Sequence, residues 1–218
     1  MKSLSAVPAV LLSIVALGAC GAATAQTSSP PAPAPAPVVV RADTAPHRWT
    51  EADARFMRGM IAHHAQALEM TALVPQRTTR ADLRLMAQRI ALSQQDEIAM
   101  MRRWLQDRGL EAPPADAHAG HDMPGMQHAL MPGMLTPEEM ARLAASTGAE
   151  FETRFLEGMI RHHEGALRMV EELFASQGAA QESETYRFAS DVDADQRAEI
   201  ARMQTLLAAT SPAAPRPR

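Results

Sequence analysis

The chain has 218 residues, with 21 basic against 25 acidic side chains and a formal net charge of −4. An acidic chain without a basic cluster is poorly suited to the phosphate backbone, so the composition argues against nucleic-acid binding. With one cysteine the chain can form neither an internal disulfide nor a multi-thiolate metal site, so soft sulfur ligands must come from the 15 methionines.

Residues 1–25 are predicted to be an export signal. A short positive start precedes an apolar run over 7–17, which is shorter than the about 20 residues that span a membrane. Two processing sites remain open, because LGAC at 17–20 is similar to a lipobox and ATA at 23–25 fits ordinary cleavage. Either site predicts a periplasmic protein, and the first adds a lipid anchor on Cys20.

The organisation after the signal follows from composition. Alternating prolines over 26–46 favour an extended conformation, so this stretch is predicted to be a tether. Residues 47–210 are sufficient for one domain with its own core, and 211–218 form a tail that is predicted to be disordered. The predicted parts of the domain are a first half at 47–110, a linker at 111–135 and a second half at 136–210.

The first half predicts a helical hairpin. Apolar residues recur at helical spacing over 50–74, after a capping residue at Thr50, and Pro75 is expected to break this helix. A second amphipathic stretch over 80–108 ends at Gly109, a residue that commonly terminates helices.

The second half begins with a short extra helix and then repeats the first half. TPEE at 136–139 is typical of a capping box with proline at the first helical position, and predicts a helix over 137–146 that Gly148 ends or bends. RFLEGMIRHHEGALRM at 154–169, within a predicted helix over 151–174, matches RFMRGMIAHHAQALEM at 55–70. A duplication explains this match.

The second helix of each half also corresponds, since QxxEIxxM occurs at 94–101 and again at 196–203. No strand-like alternation is present. Two related hairpins carry four amphipathic stripes, which are buried most simply in an all-α four-helix bundle with pseudo-twofold symmetry.

Methionines and histidines share the apolar face of the first helix of each hairpin, at about 100° per residue. Adjacent histidines diverge by about the same angle, so His63 and His64 are not expected to chelate one ion as a simple pair. The candidate metal ligands on these helices are Met60, His63, His64 and Met70, then Met159, His162, His163 and Met169.

Side chains of the second helices are expected to surround these ligands and to orient the histidines by hydrogen bonds. They are Gln94, Glu97 and Met101, then Gln196, Glu199 and Met203. In a purely structural alternative, one histidine of each pair is a hydrogen-bonded core residue and the methionines fill the core.

The linker is rich in soft ligands without helical periodicity. Its candidate ligands are His118, His121, Met123, Met126, His128, Met131 and Met134. Each MPGM sequence predicts a type II turn, which brings its two methionines within about 7 Å at Cα. Thioethers suit Cu(I), and imidazole suits copper in either oxidation state. The alternatives are an oxidant-scavenging linker and a plain connection.

At these residues the chain resembles the bacterial domain of unknown function 305 family, over about 50–208. The family hallmark is similar to F-x-x-x-M-I-x-H-H-x-x-A-x-x-M followed by Q-x-x-E-I-x-x-M. The first copy here is Phe56, Met60, Ile61, His63, His64, Ala67, Met70, Gln94, Glu97, Ile98 and Met101. The second is Phe155, Met159, Ile160, His162, His163, Ala166, Met169, Gln196, Glu199, Ile200 and Met203. The resemblance implies a ferritin-like helical fold, export and, for some members, periplasmic copper binding through His and Met.

These features predict an envelope copper-binding protein, not an enzyme, that sequesters copper, confers tolerance or passes copper to other copper-handling envelope proteins. One alternative is a ferritin-like di-iron oxidase using Glu97 and Glu199, although methionines stand where the Glu of each Glu-x-x-His would be. The other alternative is a metal-free envelope module with structural histidines.

Overall fold

A computed structural model describes residues 49–113 and 130–210. The predicted signal, lipidation site at Cys20, tether and tail lie outside the described residues, as do His118, His121, Met123, Met126 and His128. The described residues form five helices and no strand, which confirms the all-α class. The helices are α1 (Glu51–Arg77), α2 (Ala81–Asp107), α3 (Pro137–Ala145), α4 (Gly148–Ala175) and α5 (Ser183–Ala208). None of them is long and apolar enough to cross a membrane.

Capping residues fix the starts of α1 and α3. The Thr50 hydroxyl accepts a hydrogen bond from the Asp53 amide, and the Asp53 carboxylate accepts one from the Thr50 amide. Thr136 and Glu139 form the same reciprocal box at the start of α3, as predicted. Each box satisfies amide groups that the first helical turn leaves without partners.

The predicted end of α1 and the predicted role of Gly148 were wrong. α1 does not break at Pro75 but continues to Arg77, because a proline in the last turn removes one backbone hydrogen bond while buried Val74 holds the turn in place. The Val74 carbonyl also accepts from the Thr78 amide. In the second half, Gly148 does not end the short helix, which stops at Ala145, but begins α4 with a positive φ of 57°.

The hairpins pack through their first helices. α1 packs on α2 and α4 on α5, α1 and α4 form the main contact between hairpins, and α3 lies on α4. Two apolar clusters result, one around Phe56, Trp104 and Phe188, the other around Ile90, Phe151 and Phe155. Along all four long helices, buried polar residues lie between the two clusters, so a buried layer rich in polar side chains separates the two halves of the core.

Candidate functional site

The polar layer contains both doubled histidines and the residues predicted to surround them. All of its side chains are buried. They are His63, His64, His162, His163, Gln94, Glu97, Gln196 and Glu199. Buried polar groups cost stability unless they are hydrogen-bonded, so the partners of each histidine define what the layer can do.

The outer histidine of each pair meets a glutamate from the second helix of its own hairpin. The His64 Nε2 lies 2.5 Å from the Glu97 carboxylate, and the His163 Nε2 lies 2.7 Å from the Glu199 carboxylate. A carboxylate accepts hydrogen bonds, so Nε2 carries the proton in each ring and the pair orients that ring. The predicted approach of Glu97 and Glu199 to the histidines is confirmed.

The inner histidines stack on each other where α1 and α4 meet. The ring centroids of His63 and His162 are 3.8 Å apart, with 36° between the ring planes. Burial lowers the pKa of His63 to about 3, and the neighbouring histidines add to this effect. Burial, followed by the charges of the other histidines, also lowers the pKa of His162 well below 6.5. Both rings are therefore neutral near pH 7, the form in which imidazole binds metals.

Two residues of the layer, His162 and Gln94, make no side-chain hydrogen bond. Both amide atoms of Gln94 lack a partner, so the prediction that Gln94 orients a histidine by a hydrogen bond is wrong. His63 donates from Nε2 to the Pro132 carbonyl at 3.0 Å. Neither ring nitrogen of His162 has a partner, although the ring is 1% exposed; its polar contact with the His63 backbone does not meet hydrogen-bond geometry. An unsatisfied buried polar group costs about 1–3 kcal/mol, so such a group calls for an explanation.

The methionines of the repeat lie close to this layer. Met60 and Met159 are fully buried, as their predicted face requires. The Met70 methyl contacts α4, where it lies 3.3 Å from the point that a Cβ at Gly158 would occupy. The Met169 methyl contacts α1 in the same way, 3.4 Å from the point that a Cβ at Gly59 would occupy. Thioether side chains thus lie on both sides of the stacked histidines along α1 and α4.

The end of the linker crosses the α1–α4 contact as a strap, residues 131–135. Its turn is closed by a hydrogen bond from the Met134 amide to the Met131 carbonyl at 3.2 Å, and Gly133 has a φ of 77°. These features confirm the turn predicted for the second MPGM sequence; the first lies outside the described residues. The Met131 sulfur lies 3.5 Å from the position of a Cβ on Gly59, one helical turn before His63.

Gln66 and Gly165 hold the strap and were missed by the sequence analysis. The Gln66 amide donates to the Leu135 carbonyl at 2.9 Å and accepts from the Leu135 amide at 2.8 Å. Gly165 makes room on α4, where a Cβ would lie 1.8 Å from the Pro132 oxygen. The two residues occupy the same position in the two repeats. The change from glutamine to glycine between otherwise similar copies was the feature of the sequence that could have indicated their role.

Carboxylates do not gather around the layer as a metal cage. Over 49–113 and 130–210, no three His, Cys, Asp or Glu side chains are placed to hold one metal ion. Glu97 and Glu199 are each engaged by a histidine of their own hairpin. The donor atoms left without a partner in the layer are ring nitrogens of the histidines and the side-chain oxygens of Gln94 and Gln196. Together with the thioethers that flank the histidines along α1 and α4, the imidazoles suit a soft or borderline ion.

The sequence model of the family "Domain of unknown function (DUF305)" matches residues 53–207. The chain belongs to the DUF305 family. No curated protein matches it. A DUF305 fragment from Deinococcus radiodurans is 30% identical, with a TM-score of 0.63, over 74% of this chain and 98% of the other. A DUF305 protein from Streptomyces coelicolor, named as secreted, is 33% identical, with a TM-score of 0.61, over 73% and 93%.

This DUF305 chain is also similar to CopM, which has been solved with metals bound. The Cu(II)-bound form of CopM is 25% identical, with a TM-score of 0.58, over 73% of this chain and 97% of CopM. A silver-bound form of CopM is 25% identical, with a TM-score of 0.55, over 74% and 96%.

Proposed function

We propose that this DUF305 protein is an exported copper-binding protein of the bacterial envelope, built as a ferritin-like four-helix bundle from two duplicated hairpins. The observation that carries the proposal is the buried, neutral His162 ring, which has no hydrogen-bond partner on either nitrogen and stacks on His63 at 3.8 Å. A metal ion is a partner that would offset the cost of this unsatisfied ring.

The donor types around the inner histidines favour copper. Neutral imidazole suits copper in both oxidation states, and thioethers favour Cu(I) over zinc or hard ions. His64 and His163, held by glutamates, complete the histidine set of the layer. The proposed ligands of the bundle are Met60, His63, His64, Met70, Met159, His162, His163 and Met169, with Gln94, Glu97, Met101, Gln196, Glu199 and Met203 around them.

The similarity to CopM supports the same metal class. Copper and silver forms of CopM are known at 25% identity over nearly its whole length. Ag(I), like Cu(I), is a soft cation, which agrees with a methionine-rich donor set. The linker adds His118, His121, Met123, Met126, His128, Met131 and Met134 as a second group of proposed ligands.

The physiological role that fits these features is copper sequestration, tolerance or delivery to other copper-handling envelope proteins. Export would place the site where copper enters the cell, and the DUF305 protein named as secreted supports that location. Lipidation of Cys20 would restrict the protein to a membrane surface; cleavage after Ala25 would release it.

The test combines metal titration with two variants of the exported chain. The first replaces His118, His121, Met123, Met126 and His128 by alanine and so leaves the bundle ligands alone. The second adds His162→Leu, which removes an unsatisfied polar ring and keeps an apolar group in its place. We expect the linker variant to take up Cu(I) against a chelator under anaerobic conditions, and His162→Leu to abolish this binding.

Thermal stability separates a ligand from a structural histidine. Since His162 makes no hydrogen bond, His162→Leu should leave the melting temperature unchanged or raise it. As a matched control, His163→Leu should lower it, because it leaves the Glu199 carboxylate buried without its partner. The proposal is wrong if the wild type binds no Cu(I) or Cu(II) more tightly than the chelator. Two iron ions per chain after aerobic purification would instead support the di-iron alternative.

A further inference from the structure

The two copies of the repeat differ where the linker returns to the helices. Residues 55–70 and 154–169 share their glycine, doubled histidines and terminal methionine, but position 66 is glutamine in one copy and glycine in the other. Both positions contact the strap. The repeats therefore differ at the position where the strap crosses α1 and α4. The strap contacts α1 through Gln66 and α4 through Gly165, so the two helices cannot exchange roles.

Gln66 binds the strap through both the nitrogen and the oxygen of its side-chain amide. It is 3% exposed, and its amide both donates to the Leu135 carbonyl and accepts from the Leu135 amide. Opposite it, Gly133 sits directly on the α4 backbone, where a Cβ would lie 2.2 Å from the Arg161 carbonyl. Arg161 also binds Glu139 of α3 through two hydrogen bonds of 2.9 and 2.6 Å. The strap is thus fixed on both helices.

The strap decides which nitrogen of His63 is available. The Pro132 carbonyl can only accept, so His63 must carry its proton on Nε2 to make the 3.0 Å hydrogen bond. A protonated Nε2 has no lone pair for a metal, so with the strap seated His63 can bind an ion only through Nδ1, which has no partner. The Nε2 of His162 has no such partner as the Pro132 carbonyl, so the strap makes two otherwise equivalent histidines unequal.

We propose that the strap is an internal blocking group that Gln66 holds over His63, and that it must move before His63 binds an ion through Nε2. This inference rests on the proposed copper site. On strap release, the Pro132 carbonyl leaves Nε2 and the ring proton moves to Nδ1, so that the ring stays neutral. Gln66 is then a positioning residue that sets which ring nitrogen of His63, Nδ1 or Nε2, is offered to an ion.

The test uses Gln66→Leu, which keeps an apolar side chain of similar size but loses both hydrogen bonds to Leu135. The linker variant described above is the background, so that uptake reports on the bundle. We expect Cu(I) transfer from a coloured chelator complex to become faster by up to about tenfold, the largest gain possible when the open state of the parent is populated at about a tenth. Gln66→Ala serves as a second variant.

Asp53→Ala is the matched control. Asp53 is also a buried α1 residue that anchors a connection, since its carboxylate accepts from the Ala180 amide at 2.7 Å, but it does not contact the strap. Asp53→Ala should lower the melting temperature without changing the transfer rate. If Gln66→Leu and Gln66→Ala lower the melting temperature in the same way and leave the rate unchanged, Gln66 is structural and the proposal is overturned.

Metal-free measurements separate this inference from the copper proposal. In the wild type, the His63 ring should be the Nε2–H tautomer by nitrogen chemical shift, and the Leu135 amide should be protected from hydrogen exchange. Gln66→Leu should reduce that protection and shift the tautomer toward Nδ1–H. If the wild type does not bind copper, the changes in tautomer and in exchange protection are still expected in Gln66→Leu, and only the proposed copper site is refuted. Unchanged tautomer and protection in Gln66→Leu would refute the blocking role of the strap.

Discussion

Gln66 and Gly165 occupy the same position in the two repeats and hold the strap from opposite helices, one by two hydrogen bonds and the other by the absence of a side chain. The buried layer beneath them keeps its symmetry, with a histidine–glutamate pair in each hairpin. The two repeats are therefore alike in the layer and differ at the strap. The divergence sets how the strap is seated, and the Pro132 carbonyl of the strap accepts a hydrogen bond from His63.

Gly165→Ala should displace the strap. The added Cβ would lie 1.8 Å from the Pro132 oxygen and 2.8 Å from the Gly133 Cα, both backbone atoms that cannot rotate away. We expect a loss of about 1–3 kcal/mol in the free energy of unfolding, the range for overpacking a close contact. Urea unfolding followed by circular dichroism measures this loss.

Gly59→Ala is the matched control in the other repeat. Its Cβ would meet only the Met169 methyl at 3.4 Å and the Met131 sulfur at 3.5 Å, which are ordinary contacts with flexible side chains. Replacing a helical glycine by alanine should then stabilise the protein by about 0.5–1 kcal/mol. Equal effects of the two substitutions would contradict the seating of the strap on Gly165.

Glu97→Gln and Glu199→Gln should have similar effects, because the two glutamates make the same contact in the two hairpins. A glutamine oxygen can still accept from the histidine Nε2, but the hydrogen bond loses the charge of the carboxylate. We expect each change to cost about 1 kcal/mol in unfolding free energy, the difference between charged and neutral hydrogen bonds. Glu97→Ala and Glu199→Ala, which leave the ring unpartnered, should cost more in the same assay.

The amino-acid pattern was sufficient to predict the helices and the interior position of the histidines. Helical periodicity placed Met60, His63 and Met70 on one face, and all three are buried. The duplication supplied the second hairpin and the approach of Glu97 and Glu199. These features depend on local propensity and on a repeated spacing, both of which are visible in one sequence.

The strap could not be predicted from local pattern. Its contacts with Gln66 and Gly165 join residues that are far apart in sequence, and neither residue is a typical metal ligand. The end of α1 was wrong for a related reason, since the packing of Val74 outweighs the effect of Pro75 in the last turn. Tertiary packing decided both features.

Met131→Leu should lower affinity for soft ions specifically. The Met131 sulfur lies on the strap near Gly59, one turn from His63, while Leu keeps a similar volume without a donor atom. We expect Ag(I) and Cu(I) affinity to fall on the order of tenfold, which is about 1.4 kcal/mol, with little change for Cu(II). Competition titrations in the linker variant provide the measurement. An equal loss for Cu(II) would indicate that Met131 acts through packing.

Stability should fall as the solution is acidified, because the inner histidines are neutral in the folded protein. The pKa of His63 is lowered from 6.5 to about 3, and that of His162 is lowered well below 6.5. Between these values the unfolded chain binds protons that the folded chain does not, so the unfolding free energy decreases with falling pH by up to about 1.4 kcal/mol per pH unit for each histidine. Above pH 6.5 this contribution is fully present.

The pKa of Asp195 is raised by burial and by nearby Glu97 and Glu199. At lower pH this raised pKa acts in the opposite direction and stabilises the folded protein as the solution is acidified. Urea unfolding of wild type and His162→Leu between pH 5 and 8 isolates one histidine, since Asp195 is common to both. Below pH 6.5 the unfolding free energy of His162→Leu should change less steeply with pH than that of the wild type. Identical slopes would show that His162 is not held neutral by the fold.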